Sequence, residues 1–257
     1  MSKLAELYQY RYLLSVLISS ELKLRYRRST LGFLWSMLNP LLMMIVITAV
    51  FSQVMRFQVH DYALLLLAGI LPWTFISQTV SNSLMSIISK GSLLQKVYVP
   101  KSIFPLAGAA ANLVNFVLSL VPLLGIGLVF GHGLSLSLIF LPVATLFVAM
   151  FACGLTLLFS CLNVFFRDFT HMTDVLMQAL FYASPIIYTV EMVPEKFRPI
   201  FRFNPVSSLV ECFRAPIYRG TFPTWADIGF AFGAGCLSLL IGGYVFFRNE
   251  NEFVLRV

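Results

Sequence analysis

Residues able to do chemistry are few and scattered along this chain. Its three histidines, His60, His132 and His171, fall on three different loops, which disfavours a shared metal site. The four cysteines at 153, 161, 212 and 236 form no CxxC pair. Cys153, Cys161 and Cys236 lie in apolar runs and read as small buried thiols, and Cys212 stands apart from them, which argues against a disulfide framework. No GxxxxGK[ST] loop occurs, so the chain does not take nucleotide by that route, and no HExxH, paired-carboxylate or Ser/His/Asp arrangement stands out. The aromatic residues are the remaining resource, at 15% Phe, Trp and Tyr. Most read as lipid-facing Phe and interfacial Trp or Tyr. A sugar ring stacks its C–H face on an aromatic ring in a contact that tolerates sliding. A polysaccharide path could therefore be lined by Trp35, Phe51, Phe181, Tyr182 or Tyr188, although periodicity favours the lipid-facing reading for any one of them.

The elements that must position these residues follow from composition. Of 257 residues, 59% are hydrophobic and 11% charged, against roughly 25% charged in soluble domains. Mean hydropathy is +0.86. These values exclude a soluble globular domain, a disordered chain and a disulfide-built secreted module. An all-α polytopic membrane protein is expected. Crossing a bilayer core of about 30 Å takes about 20 apolar helical residues. Stretches free of Asp, Glu, Lys and Arg run over Ser29–Met55, Tyr62–Ser89, Ser102–Phe166, Val175–Val190 and Ile228–Phe247. The third holds two helices, with Gly131, His132, Gly133 and Ser135 offering the turn. Six spans result, with no internal repeat. The N-terminus is not a signal peptide, because its first apolar stretch is broken by Glu6, Arg11 and Glu21.

There are 18 Lys plus Arg against 11 Asp plus Glu. In a multi-span protein this excess reads as topology rather than nucleic-acid binding. Lys3, Arg11, Lys23, Arg25, Arg27 and Arg28 precede the first span. Lys90, Lys96 and Lys101 lie in the second loop, Arg167 in the fourth, and Arg248 and Arg256 in the tail. Both termini are thus expected in the cytoplasm. The fifth loop breaks the pattern with Lys196, Arg198, Arg202, Arg214 and Arg219, partly offset by Glu191, Glu195 and Glu211. The spans lack internal acids: Asp168 and Asp174 are expected at one end and Asp227 at the other. That weakens an ion-coupled carrier and a membrane-embedded enzyme of glycan assembly. A translocation subunit driven by a separate motor fits better.

Three segments are not ordinary loops. Within Leu4–Arg28, Tyr10, Leu13, Leu14, Leu17 and Ile18 share one helical face, and Arg11, Ser15, Ser19 and Lys23 another. That pattern predicts an amphipathic helix along the membrane surface, or else a core-packed one. Gly91–Pro105 is short, apolar and basic between Gly and Pro, and suits a helix that meets a partner, or a solvated loop. Pro194–Pro223 carries five prolines around the apolar piece Asn204–Tyr218, too short to span. It predicts a re-entrant hairpin in the outer leaflet, or a folded external loop.

Four stretches then read together: RYRRSTLGFLWSMLNPLL at 25–42, LPWTFISQTVSNSLMSIISKGSLLQKVYVPKSIFPL at 71–106, NVFFRD at 163–168 and SPIIYTVEMVPEKFRPIFRFNPVSSLVECFRAPIYRG at 184–220. As an ordered set these resemble the transmembrane permease subunit of ABC transporters that export polysaccharides such as O-antigen, capsule and teichoic acid. The resemblance implies a single permease domain over 1–257, with an interface segment at 1–28, spans one to five within 29–190, a re-entrant segment at 194–223 and span six at 228–247. It implies two permease copies paired with two separate ATPase chains in a bacterial inner membrane. ATP and Mg would be bound by the ATPase, and no cofactor or metal by this chain. The family's coupling helix maps to Ser92–Lys101, putting Leu94, Lys96, Val97, Tyr98 and Lys101 at the ATPase, with Arg167 and Asp168 a lesser contact. The substrate would be a lipid-linked glycan, often carrying pyrophosphate, with O-antigen favoured. Arg25, Arg27 and Arg28 would meet that anionic headgroup, since guanidinium pairs well with phosphate. A permease for another lipid or a drug is the alternative within the same class.

Overall fold

The computed structural model describes residues 8–27, 29–50, 61–131, 133 and 135–256. Among them every regular element is helical. In chain order they are α1 Arg11–Tyr26, α2 Trp35–Ala49, α3 Tyr62–Ser83, α4 Gly91–Leu94, α5 Ile103–Val129, α6 Leu141–Phe165, α7 Phe169–Tyr182, α8 Arg198–Phe203, α9 Pro205–Arg214, α10 Trp225–Asn249 and α11 Phe253–Arg256.

Among the described residues, four helices are long and apolar enough to cross a membrane: α3, α5, α6 with its preceding turn, and α10 with its following turn. Helix α3 sits at the centre. Residues Tyr62 through Trp73 are all buried, which its near-continuous apolar sequence requires. Around it pack α5, α6, α9 and α2. Helices α6 and α10 make the most intimate pair. Gly154 lies against Ser238 and Gly242, and the Ser238 hydroxyl donates to the Phe151 carbonyl at 2.9 Å. Small residues let these backbones touch, the usual device where lipid supplies no hydrophobic drive between helices.

The expected turn between the two helices of Ser102–Phe166 falls where Gly131 adopts φ 81°. Helix α1 turns Leu13, Leu14 and Leu17 onto the protein and leaves Arg11, Ser15 and Ser19 exposed, as its spacing predicts. Two boundaries differ from the charge-free windows. Helix α2 covers 15 residues of the first window; the window's end at 51–55 lies outside the described residues. Helix α7 begins at Phe169 and stops at Tyr182, six residues before and eight residues short of Val175–Val190. Its 14 residues extend about 21 Å at 1.5 Å each, and Asp174 lies inside it. Asp174 is the charge that closed the window, so an acid sits inside a helix where none was expected, while Asp168 holds the N-cap position without a side-chain capping hydrogen bond.

Beyond α7 the chain leaves helix. The carbonyls of residues 183 and 185–188 are taken by side chains, and that of Ser184 by the Ile186 N–H: Asn204 Nδ2 donates to Ala183, the Tyr62 hydroxyl to Ile187, and Arg214 to Pro185, Ile186 and Tyr188. This satisfies backbone that has no ladder of its own. Arg214 is 3% exposed and also donates to the Leu65 carbonyl. It is a buried clamp, not the loop cation its place in the charge tally suggests. All four cysteines are free, with Cys161 and Cys212 buried and Cys153 and Cys236 half-buried.

Candidate functional site

A groove of about 510 Å³ runs between α2, α3, α5 and the end of α1. Along α3 it reaches from Ile70 to Gln78, which is about 12 Å of helix. One wall is aromatic. Trp35 is half-exposed at the mouth, and Trp73 packs its ring 5.8 Å from Phe181. The other wall is neutral and polar. Asn112, Asn115 and Ser119 recur at helical spacing on α5, and Thr74 and Gln78 stand one turn apart on α3. Asn39 of α2 completes it.

The two α5 amides are buried, Asn112 at 3% and Asn115 at 7% exposure. Asn112 Oδ1 accepts from Asn82 Nδ2 at 3.5 Å, and Asn115 Oδ1 accepts the Tyr26 hydroxyl at 2.9 Å. Their amide nitrogens have no hydrogen-bond partner among the described residues. Buried polar groups are ordinarily paired, and these two donors are left over, enclosed beside the groove. Arg25 lies at the rim and is the one charged side chain among the described lining residues. The site can thus hydrogen-bond hydroxyls, stack apolar ring faces and meet one anionic group at its edge.

Of the aromatics singled out from sequence, the groove gathers Trp35 and Phe181. Tyr182 and Tyr188 do not line it. Tyr182 is exposed beside Phe181, and Tyr188 donates its hydroxyl to the Tyr182 carbonyl and packs against Phe201. Phe51 and Arg28 fall outside the described residues. Arg27 is exposed and does not line the groove. Asn39, Gln78, Asn112, Asn115 and Ser119 were missed, because a search for charge-free windows passes over neutral amides. Their i, i+3, i+7 spacing on α5 was the signal available.

At the far end of α3 the loop to α5 holds a 3₁₀ turn at Ile88–Lys90 and one α-helical turn, α4, followed by turn and irregular backbone over 95–102, so no continuous helix forms over Gly91–Pro105. Leu94 faces inward, in a small core with Ile87, Val99, Phe104 and Phe253. It is not at the surface as proposed. Gln95, Lys96, Val97 and Tyr98 form an exposed run, with Tyr98 76% exposed. Lys101 donates to the Glu250 carbonyl at 2.7 Å and so ties this loop to the C-terminal turn. Arg167 and Asp168 are exposed beside a shallow apolar depression with Phe166 and Met172. Asn163 joins the two loops. Its amide donates to the Leu84 carbonyl at 2.8 Å, and its Oδ1 accepts the Thr170 hydroxyl at 2.9 Å.

Known proteins share this pattern along its length. A family profile described as ABC-2 type transporter matches residues 12–218. The O-antigen export system permease protein RfbA of Myxococcus xanthus is 34% identical, over 96% of this chain and 95% of that protein. RfbA of Klebsiella pneumoniae is 31% identical over 94% and 93%. The polysialic acid transport protein KpsM of Escherichia coli is 22% identical over 91% and 92%.

Proposed function

The chain belongs to the ABC-2 type transporter membrane family, and from that premise we propose that it is the permease subunit of an ATP-driven exporter of a lipid-linked polysaccharide. O-antigen is the favoured cargo, with capsule or teichoic acid next. The observation that carries the reading is the groove, whose idle amide donors and aromatic faces suit a polyhydroxylated chain that must slide. An ion-coupled carrier or a glycan-assembly enzyme needs ionisable groups at such depth, and the described lining offers amides instead.

The parts follow in order. A second copy of the chain pairs with this one, and two ATPase chains bind ATP and Mg on the cytoplasmic side, where both termini lie. Lys96, Val97, Tyr98 and Lys101 form the docking face, with Leu94 supporting it from beneath, and Arg167 and Asp168 make the second contact. ATP binding moves this loop. Because Leu94 and Val99 share a core with Phe253 and the face of α1, the motion passes to the interface helix and the groove. The lipid pyrophosphate loads at Arg25 and Arg27, with Arg28 beside them, and the sugar chain follows past Trp35 and Phe181. The count of six spans is completed by α2 and α7, and Pro194–Pro223 re-enters the outer leaflet. Buried α9 supports that last assignment, since non-helical backbone at membrane depth must be enclosed by protein.

The test is co-purification with the candidate ATPase and measurement of hydrolysis and glycan export. The wild type forms a complex whose hydrolysis is tied to export. Tyr98→Ala with Lys96→Glu loses the complex or uncouples it. A chain that joins no ATPase yet still moves or modifies glycan would overturn the exporter reading.

A further inference from the structure

At the end of the bundle away from α4 lies a second cavity, of about 660 Å³, walled by α9, the turn Val190–Met192 and the start of α10. Its size falls within the roughly 300–1,000 Å³ of small-molecule sites, and the groove plays no part in it. Ser207 lines it at 8% exposure, and its Oγ has no hydrogen-bond partner among the described residues. A buried hydroxyl left unpaired at a cavity wall marks a place for a ligand atom.

The charged groups define what kind of atom. Arg214 spends its donors on four backbone carbonyls and is therefore committed to backbone, and Arg219 meets one Glu211 oxygen through Nη2 while its side chain stays about half exposed. The carboxylates keep spare acceptor capacity, since each offers about four lone-pair sites. Asp227 Oδ2 accepts the Thr224 hydroxyl at 2.6 Å, which leaves Oδ1 available. Burial pushes the Glu191 carboxyl up, but its own backbone N–H, the Thr189 hydroxyl, Arg219 and Arg214 outweigh burial and hold it below the ordinary value. Glu191 is thus ionised and accepts only. Among the described residues no three His, Cys, Asp or Glu side chains converge to hold a metal ion. Phe222 and Phe230, each about half exposed, also line the cavity, and Phe230 packs edge to face with Phe203.

Acceptors for hydroxyls, a buried Ser hydroxyl and aromatic rings together describe a carbohydrate site. We propose that this outer cavity binds a short run of uncharged sugar residues and retains the emerging glycan between ATP turnovers. Vicinal hydroxyls donate to Glu191 and Asp227, one hydroxyl pairs with Ser207, and a C–H face rests on Phe222. This rests on the export reading above but concerns a different place in the chain.

The experiment places a photo-crosslinking residue at Phe222 and, separately, at Trp35 in the groove. The probe is the host's own lipid-linked glycan in inverted vesicles that contain the partner ATPase, and capture is read as a glycan-bearing band shift. With ATP, both positions capture glycan. Ser207→Val with Glu191→Gln lowers capture at Phe222 roughly tenfold, the size expected for losing hydrogen bonds that involve a charged acceptor, and leaves capture at Trp35 unchanged. Ser207→Ala, a smaller change, is run beside it and lowers Phe222 capture in the same direction should the double variant fail to fold. Capture at Trp35 with none at Phe222, or Phe222 capture indifferent to these substitutions, overturns the outer site and leaves the export reading standing. Capture at neither position overturns both.

Discussion

Gly69 is the position where one methyl group tests the central packing. A Cβ there would stand 2.8 Å from the Ile186 carbonyl oxygen and 2.8 Å from Arg214 Nη2. Reaching ordinary contact at 3.4 Å requires a shift of about 0.6 Å. The Arg214 tip can turn aside, but the Ile186 oxygen belongs to backbone that Arg214 and Tyr62 hold from both sides. Gly69→Ala therefore displaces the hydrogen bond between Arg214 and Ile186. Losing such a bond to a charged group costs about 1.5–3 kcal/mol. The better helix propensity of Ala returns about 1 kcal/mol, leaving a net loss of about 0.5–2 kcal/mol. Gly125→Ala on α5 is the control, because its Cβ meets nothing within 4 Å and the propensity gain of up to about 1 kcal/mol stands alone. The two variants should differ by about 1.5–3 kcal/mol, or about 3–12 °C in Tm for a chain of this size. Thermal unfolding of the purified protein in detergent, followed by tryptophan fluorescence, reads the difference. Equal melting temperatures for the two variants would refute the tight clamp around Arg214.

Neighbouring glycines on α10 should behave oppositely: a Cβ at Gly242 falls 2.0 Å from the Gly154 carbonyl oxygen, whereas one at Gly243 meets only the Phe247 ring at 3.8 Å. Gly242→Ala forces α6 and α10 apart and sharply lowers the yield of folded protein on size exclusion, and Gly243→Ala leaves it unchanged or higher. Asn163→Leu strips the Leu84 carbonyl and the Thr170 hydroxyl of their shared partner, a loss of about 1–3 kcal/mol. Hydrogen exchange over residues 84–101 should rise and export per ATP should fall, while ATPase binding through the Tyr98 face persists.

Sequence legibility followed physical cause. The α1 face was readable because Leu13, Leu14 and Leu17 obey one period and pack on one core. The turn at 131–135 was readable because glycine supplies the positive φ. The start of α7 was not, because charge was used as a stop signal and Asp174, which closed the window, lies inside the helix. Arg214 misled for a related reason. Counted as a surface cation it disturbs the topology rule, yet its charge is absorbed by carbonyls of a segment 26–29 residues earlier in the chain and of α3. No local pattern announces a partnership made at that separation. The Ser92–Lys101 region was found by its basic and apolar mixture, but which of its residues point outward depends on Phe253, which closes the core beneath it.

The amides of the groove bear on how a permease can hold a polymer without stopping it. An ionised side chain at bilayer depth is costly unless paired, and if it met a sugar it would hold one residue of the chain more firmly than the next. Asn and Gln donate and accept without that charge, and an aromatic face grips each ring alike. Hydrogen bonds exchanged between successive hydroxyls cost little net energy, because each broken bond is replaced by its neighbour. The groove follows this logic along Asn112, Asn115 and Ser119, and it departs from it once, at Arg25 on the rim. A single cation at the rim suits a substrate with a single anionic end. On the proposed reading the charge would be met once, when the lipid headgroup loads, and the uncharged remainder would then pass over donors and ring faces that treat every repeat the same.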